Sequence, residues 1–333
     1  MVQLSNGLTL FFSLLVEAIP FLLIGVAFSS LLLFFVNERT LIQLLPKTPL
    51  LGAIAGSLMG VFFPVCECGN VPVARRLIVQ GAPSSVAVGF LLAAPTINPV
   101  VFWATWVAFR EQPEMVFLRV GFTLVIAVTI AWVFSRQPDL RPILQPAVTR
   151  QMPKPRSAPA MSPLLSSGTF LMQAGGTTLK IDDPAAQALL VSAPNQPVSV
   201  KLQLALDNMI QELKELGAVL ILGSAIAAFV QVAVPRDWIL TLGQNFITSI
   251  LAMMLLAAVV SICSTVDSFF ALSFASTFTT GAQLAFLVFG PMIDLKNIGL
   301  LMTLFKPRAI FYIFMLAAQL CFILTLFMNL YVS

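Results

Sequence analysis

Eight apolar stretches dominate this chain, and each is close to the roughly 20 residues that an α-helix needs to cross a bilayer. Only 10% of the residues are charged and the mean hydropathy is +0.97, whereas soluble proteins carry about a quarter charged residues. Polar backbone groups must be satisfied internally in lipid, so the sequence predicts an all-α polytopic membrane protein. The stretches cover residues 8–36, 50–65, 84–109, 116–135, 206–234, 247–263, 282–304 and 308–331.

A polar, proline-rich segment divides the chain into a first membrane part at 1–135, a linker at 136–205 and a second membrane part at 206–333. The linker holds seven of the 18 basic residues. Because cytoplasmic loops of membrane proteins are enriched in Lys and Arg, we expect the linker to be cytoplasmic. The net charge of +4 therefore reflects membrane topology, and we expect no nucleic-acid partner.

The second apolar stretch ends in Phe63-Pro-Val-Cys-Glu-Cys-Gly-Asn-Val-Pro72, which places thiols, a carboxylate and a carboxamide at membrane depth. Such residues are costly in lipid and usually line a cavity or a pathway. Proline and glycine release backbone groups from helical pairing, so we expect a broken or re-entrant helix here. The predicted site residues in this break are Cys66, Glu67, Cys68 and Asn70.

A similar interruption, Val260-Ser-Ile-Cys-Ser-Thr-Val-Asp267, follows about 197 residues later and adds Cys263, Thr265 and Asp267 to the predicted site. Further matches occur in the same order along the two membrane parts, among them Glu17 with Glu215 and Gly25 with Gly223. The pattern predicts two pseudo-symmetric repeats of about four transmembrane helices each, with broken or re-entrant helices at the repeat centres.

The relative orientation of the two repeats stays open at the level of sequence. Four crossings in each repeat would give parallel copies, and an extra short crossing at 70–81 and 267–280 would give inverted copies. In the simplest scheme of eight crossings, Lys306 and Arg308 fall on the side of the membrane away from the linker.

A second polar element pairs Ala94-Pro-Thr-Ile-Asn98 with Gly290-Pro-Met-Ile-Asp294. Pro95 and Pro291 each remove a helical hydrogen bond and expose carbonyl groups. We expect Asn98 and Asp294 to face one another across the repeat axis, with Lys296 neutralising Asp294. This arrangement suits a gating or coupling site, and the alternative is a kinked helix with an interhelical ion pair.

The cysteines indicate soft-ligand chemistry. If Cys66, Cys68 and Cys263 converge, their thiolates suit a soft metal such as Cu(I), trivalent arsenic, or thiol exchange. The alternative is that membrane cysteines are small packing residues, which is our interpretation of Cys321. The chain contains no histidine, which excludes His-ligated haem, zinc–histidine catalysis and Ser-His-Asp machinery, and no cofactor is expected.

Other charged residues at membrane depth have two interpretations each. Glu67 and Asp267 lie beside the cysteines and are candidates for proton coupling, because buried carboxylates form the proton relays of many transporters. Arg75 and Arg76 either bind an anionic group or extend to lipid headgroups. Glu17 and Glu215 are either embedded or interfacial.

The motifs at residues 64–72, 81–83 and 94–99 resemble those of the YraQ-like predicted permease family, a relative of the bacterial permeases that export trivalent organoarsenicals. The resemblance covers roughly 1–135 and 206–333. It implies a permease of the bacterial inner membrane in which the C-x-C cysteines bind thiophilic cargo or confer redox control. The identity of the substrate does not follow from it.

Together these features predict a secondary transporter, and not an enzyme, for a soft, thiophilic or thiol-containing small molecule. Its surroundings are the lipid bilayer, and the sequence is compatible with a homo-oligomer. The alternative is a membrane thiol oxidoreductase that cycles a Cys66–Cys68 disulfide with a thioredoxin- or glutaredoxin-like partner. A passive channel is a third hypothesis, although it gives the cysteines and carboxylates no distinct role.

Overall fold

The computed structural model describes residues 2–35, 46, 48–62, 67–137, 141–150, 152, 198–233, 245–274 and 277–331. Within these ranges the chain is helical, with one isolated β-bridge between Leu144 and Phe305. Cys66 and most of the linker lie outside the described residues. The helices are α1 (Val2–Phe35), α2 (Pro49–Met59, continued by a 3₁₀ turn at Gly60–Phe62), α3 (Glu67–Val79), α4 (Ser84–Ile97), α5 (Pro99–Ala108), α6 (Glu114–Ser135), α7 (Pro146–Thr149), α8 (Val198–Ala233), α9 (Phe246–Val260), α10 (Asp267–Leu272), α11 (Thr280–Met292), α12 (Leu295–Leu304) and α13 (Pro307–Tyr331).

Five helical stretches of the described residues are long and apolar enough to cross a membrane, which confirms a polytopic integral membrane protein. Two shorter apolar helices, Pro49–Phe62 and Phe246–Val260, are too short to span a bilayer alone. The predicted stretch at 206–234 lies in α8 up to Ala233, and residue 234 lies outside the described residues. The five long stretches are Gly7–Ala27, Ser84–Ala108, Glu114–Ser135, Thr280–Leu304 and Pro307–Tyr331.

Two of these stretches are interrupted helices. Ser84–Ala108 consists of α4 and α5, which are separated at Asn98, and Thr280–Leu304 consists of α11 and α12, which are separated at 293–294. Asn98 and Asp294 cap the second segments, because their side chains accept hydrogen bonds from the backbone N–H groups of Val100 and Asn297. Each break follows a helical proline, which lacks the N–H needed to continue the ladder.

In the first half, α2 runs beside α4 in the same direction. The backbone of Gly52 lies against Ser85, and further along α2 the backbone of Gly60 lies against Ala94. The connection from α2 to the start of α4 contains α3. Because α2 and α4 are parallel, α3 must return towards the side on which α2 began, and α2 and α3 form a hairpin.

The second half contains a matching arrangement. Ala257 of α9 contacts Gly290 of α11, and four residues later the Ser261 hydroxyl accepts a hydrogen bond from the N–H of Leu295 at 3.1 Å. Because these contacts follow in the same order along both helical segments, α9 and α11 are parallel. The helix α10 between them contacts α11 and α5. Ser261 ends α9 in the left-handed backbone region, with φ of 50°, which turns the chain towards α10.

Hydrogen bonds between the start of the linker and the α12–α13 turn define one face of the protein, here called the linker face. The N–H of Gln145 donates to the Leu304 carbonyl at 3.0 Å, and the N–H of Lys306 donates to the Ile143 carbonyl at 2.8 Å. Eight simple crossings would place this turn and the linker on opposite sides of the membrane. These contacts exclude that scheme.

The other end of the molecule is here called the opposite face. Glu111 to Met115, in the α5–α6 turn and the start of α6, share a surface pocket with Thr280 at the start of α11 and Met328 near the end of α13. The interrupted stretch α4–α5 therefore ends on the face at which the interrupted stretch α11–α12 begins. The two interrupted helices run in opposite directions.

Gly25 allows α1 to approach α3 at backbone distance. A Cβ atom at this position would lie 2.5 Å from the Gly69 carbonyl oxygen and 2.6 Å from its Cα, which no ordinary contact permits. The corresponding glycine of α8, Gly223, faces Lys296 of α12, with 3.4 Å to its Cα. Both long helices therefore support the backbone of a shorter helix that begins inside the protein.

We expect Gly25→Ala to lower the melting temperature of the purified protein in detergent. The added methyl group must displace the backbone of α3, and overpacking of this kind costs about 1–3 kcal/mol. Thermal unfolding followed by tryptophan fluorescence measures the effect.

Gly217→Ala is the matched control, because a Cβ atom there would meet no atom within 4 Å. Ala is about 1 kcal/mol more favourable than Gly inside a helix, so this variant should melt at the same or a higher temperature. Equal melting temperatures for both variants would show that α1 and α3 are not packed as described.

Candidate functional site

A buried ion pair joins the beginnings of two helices from different halves of the chain. Glu67 is the first residue of α3 and Lys296 is the second residue of α12. Both are only 1% exposed, and the Lys296 Nζ lies 3.9 Å from the Glu67 Oε1. Neither carboxylate oxygen of Glu67 has a hydrogen-bond partner among the residues that the structure describes. Unsatisfied buried charges are costly, so this pair marks a candidate functional site.

Two cysteines lie close to this ion pair. Cys68 is 1% exposed and Cys263 is 2% exposed, and both are within electrostatic range of Glu67 and Lys296. The Thr265 hydroxyl donates to the Cys263 sulfur at 3.7 Å. One thiol from each half of the chain is therefore brought to the same buried charges. Cys66, the third cysteine of the predicted site, lies outside the described residues.

Asp294 adds a second carboxylate to the same region. Its Oδ1 caps α12, its Oδ2 has no hydrogen-bond partner within the described part of the chain, and its charge interacts with those of Glu67 and Lys296. When all three groups are ionised, the set carries two negative charges and one positive charge in a water-poor interior. We call Glu67, Cys68, Cys263, Asp294 and Lys296 the central cluster.

Side chains around the central cluster bind backbone carbonyls that the helix breaks release. The Nδ2 of Asn70 points to the Leu91 carbonyl at 3.5 Å. Leu91 lies four residues before Pro95, whose missing N–H would otherwise occupy that carbonyl. The Nδ2 of Asn297 likewise donates to the Met292 carbonyl at 2.9 Å, in the last turn of α11. The polar residues of both motifs therefore have a structural role in addition to any contact with cargo.

Asn98 and Asp294 occupy equivalent positions, since each caps the second segment of an interrupted helix. Asn98 is buried, as is Asp294. Their expected approach across a repeat axis stays a prediction, as does a gating role for Pro95 and Pro291.

A second buried polar cluster contains a residue that the sequence analysis did not single out. Arg119 of α6 is 1% exposed and pairs with Asp267, with 2.6 Å between Nη2 and Oδ2. Its Nη1 donates to the hydroxyls of Thr105 at 2.8 Å and Ser268 at 2.7 Å, and its Nη2 donates to the Ser264 carbonyl at 3.3 Å. Asp267, predicted as a cargo or coupling residue, is therefore bound to a cation from the other half.

Arg119 escaped notice because it lies in the apolar stretch at 116–135, which has the composition of an ordinary membrane span. The sequence nevertheless contains an indication of its role. A single arginine inside such a stretch is costly, and it normally marks a buried partner or a pathway.

The two arginines of α3 occupy different environments. Arg75 is buried and pairs with Glu215 of α8, with 3.1 Å between Nη1 and Oε2. The Glu215 side chain is 46% exposed, so this pair is in contact with the surroundings of the protein. Arg76 lies in the last turn of α3 and is partly buried. Anion binding by either arginine stays a prediction, and the side chain of Glu17 lies outside the described part of the structure.

The described residues contain no group of three His, Cys, Asp or Glu side chains arranged to hold a metal ion. The predicted soft-metal site of Cys66, Cys68 and Cys263 is not tested by this finding, because Cys66 is not among the described residues.

Comparison with known proteins identifies relatives over nearly the whole chain. The family model ArsP_1, described as a predicted permease, matches residues 3–330. The UPF0718 protein YcgR of Bacillus subtilis (strain 168) is 37% identical over 303 residues, which cover 91% of this chain and 90% of the relative. A protein of Streptococcus mutans serotype c (strain ATCC 700610 / UA159), named "Putative two-component membrane permease complex subunit", is 31% identical over 303 residues, which cover 91% of this chain and 88% of that protein. No solved structure matches this chain.

The charges of the central cluster predict an unequal response to neutralisation. Lys296→Met should leave two buried carboxylates without a cation, and the loss of one partner of a buried pair costs about 3–5 kcal/mol. Glu67→Gln should leave Lys296 with Asp294, one charge of each sign, and cost little or stabilise the protein. Melting temperatures of the purified variants measure the difference.

The double variant Glu67→Gln/Lys296→Met is the control for this argument. It leaves one unpaired carboxylate in place of two, so its melting temperature should lie above that of Lys296→Met alone. If Lys296→Met is tolerated as well as Glu67→Gln, the three groups do not share their charges in the way described.

Proposed function

Because this chain belongs to the family of predicted permeases, we propose that it is a secondary transporter for a soft, thiophilic or thiol-containing small molecule. The observation that carries the proposal is the central cluster, in which one thiol from each half lies near a buried ion pair at the ends of broken helices. Transporters bind their substrates in such places, near mid-membrane and between the halves.

The direction of the helices supports two inverted repeats. Each half has a long helix, a short hairpin, an interrupted helix and a final long helix, in the order α1, α2–α3, α4–α5, α6 and α8, α9–α10, α11–α12, α13. The interrupted helices run in opposite directions, and each hairpin begins on the face where its own interrupted helix begins. We therefore propose three spans and one re-entrant hairpin in each repeat, which revises the expected four crossings.

In an inverted pair, each hairpin approaches the middle of the membrane from its own face. The α2–α3 hairpin brings Glu67 and Cys68 from the linker face, and the α9–α10 hairpin brings Cys263 from the opposite face. Alternating access requires a site that each face can reach in turn. A central cluster supplied by two opposed hairpins provides such a site.

The chemistry of the proposed cargo follows from the thiols. Sulfur ligands prefer soft, polarisable partners such as trivalent arsenic or Cu(I), and a thiolate also attacks a disulfide to form a mixed disulfide with release of the second thiolate. The acidic members of the cluster, Glu67 and Asp294, would couple transport to the movement of protons, with Lys296 exchanging between them. Asn98, Pro95 and Pro291 would serve in gating at the helix breaks.

Burial of the thiols speaks against the oxidoreductase hypothesis. A thioredoxin- or glutaredoxin-like protein must bring its own sulfur into contact with Cys68, which is only 1% exposed. A small cargo molecule needs a much narrower opening. A disulfide state of the cysteines that controls transport is compatible with the proposal.

The surroundings of the proposed transporter follow from its charges and relatives. We propose that it lies in the bacterial inner membrane with the linker face towards the cytoplasm, because seven of its 18 basic residues lie in the linker. The Streptococcus mutans relative is named as a subunit of a two-component membrane permease complex. A second membrane subunit is therefore a proposed partner of this chain also.

Flux of a trivalent arsenical from preloaded proteoliposomes tests the role of the thiols. Cys68→Ser and Cys263→Ser should each reduce the flux at least about tenfold, which corresponds to about 1.4 kcal/mol of lost cargo binding. Cys66→Ser should do the same if its sulfur completes the site.

Cys321→Ser is the matched control. Cys321 is also a fully buried thiol, but it lies in α13, and its sulfur is 3.8 Å from the Ala285 carbonyl. This variant should keep the flux of the unaltered chain. Undiminished flux in Cys66→Ser, Cys68→Ser and Cys263→Ser would contradict the thiol role, whichever way the cargo moves.

A further inference from the structure

We propose that Arg119 is the gating residue of the opposite face, and that it holds the α9–α10 hairpin closed over the central cluster. The gate, here called the Arg119 clamp, consists of Arg119, Thr105, Ser264, Asp267 and Ser268. This inference rests on the proposed permease function, and it assigns a position-holding role to Asp267 in place of contact with cargo.

The geometry of the clamp joins three parts of the protein at one guanidinium group. Arg119 comes from α6, Thr105 from α5, and Ser264, Asp267 and Ser268 from the hairpin of the other half. Four of the five guanidinium N–H groups are used, at 2.6 to 3.3 Å. Such fork-shaped, charge-assisted contacts fix both position and orientation.

The position of the clamp places it between the opposite face and the central cluster. Arg119 is five residues beyond Glu114, at which α6 begins on that face, so it lies about 7.5 Å along the helix axis. Thr105 is three residues from the end of α5, which leads to the same face. Asp267 is four residues beyond Cys263, whose carbonyl accepts its backbone N–H at 3.0 Å. Release of Asp267 from Arg119 therefore frees the turn that carries Cys263.

The hairpin of the first half has ion pairs of looser geometry. Its lysine contact, Glu67 with Lys296, spans 3.9 Å without a hydrogen bond, and its arginine contact, Arg75 with Glu215, involves a side chain that is 46% exposed. All the residues of the Arg119 clamp are buried. The described conformation is therefore closed at the Arg119 clamp.

Stability alone does not account for the clamp. A buried ion pair recovers little more than the cost of removing its charges from water, and apolar residues of similar volume are often as stable. The ion pair does fix the position of the α9–α10 hairpin, and this position is lost when either partner is removed or released. A gate needs this property, because it must have two distinct positions.

Labelling of Cys263 with a membrane-impermeant maleimide tests the gate without knowledge of the cargo. The reagent is added to either side of sealed vesicles, and mass spectrometry measures the modified fraction of each cysteine. Arg119→Gln and Asp267→Asn should each raise the labelling rate of Cys263 at least about tenfold from the opposite face, because a buried charge pair has been broken. Arg119→Lys keeps the positive charge but loses the planar guanidinium group. The labelling rate of Cys263 in this variant should lie between those of the unaltered protein and Arg119→Gln.

Two internal references make the result decisive. Labelling of Gln112→Cys, an exposed residue of the α5–α6 turn, identifies which side of the vesicle is the opposite face. Cys321 is fully buried in α13, and it should stay unlabelled as long as the protein is folded. Thr123→Val is the matched control, because Thr123 is buried one turn beyond Arg119 and its hydroxyl has no hydrogen-bond partner among the described residues. The labelling rate of Cys263 should not change in this variant.

The gate is overturned if Cys263 keeps its original labelling rate in both Arg119→Gln and Asp267→Asn, or if the rate rises from the linker face. A parallel rise at Cys321 would mean that the variants loosen the whole protein, which also overturns the assignment. The flux assay with Cys68→Ser fails or succeeds independently of this labelling, so the two proposals are separable.

Discussion

Every polar group of the backbone must find a partner in a water-poor interior, and this constraint governs the structure around the central cluster. Breaks at Asn98 and Asp294 expose N–H and carbonyl groups that a continuous helix would pair internally. The chain satisfies them with its own side chains. Asn98 and Asp294 cap the helices that follow, while Asn70 and Asn297 bind carbonyls near the prolines. The first role of these polar side chains is therefore to pair the backbone groups that the helix breaks leave unpaired.

The backbone groups at the helix breaks have side-chain partners, whereas the buried charges are paired unequally. Glu67 and Lys296 lie at helix beginnings from two halves of the chain, and neither carboxylate oxygen of Glu67 has a hydrogen-bond partner among the described residues. Arg119 and Asp267 are almost fully paired. A protein with one loosely held and one tightly held charge pair has an uneven distribution of stability.

Much of this organisation was predictable from sequence because it is local. The interruptions near Pro95 and Pro291 follow from missing N–H groups, and the membrane spans follow from composition. Contacts between the halves were not predictable. Lys296 was expected to neutralise Asp294, two residues away, and the structure adds Glu67 at 3.9 Å from a distant part of the chain. Arg119 finds Asp267 148 positions away, a pairing that depends on how two helices pack and that no local pattern encodes.

The backbone pairing between Leu144 and Phe305 joins the start of the linker to a helix that extends into the interior of the protein. It is anchored where α12 ends, and α12 is a rod of about 15 Å that carries Lys296 at its other end. A helix of this length transmits displacement along its axis with little bending. A displacement of the chain at Leu144 along the axis of α12 would therefore reach the ammonium group of Lys296 in the interior of the protein.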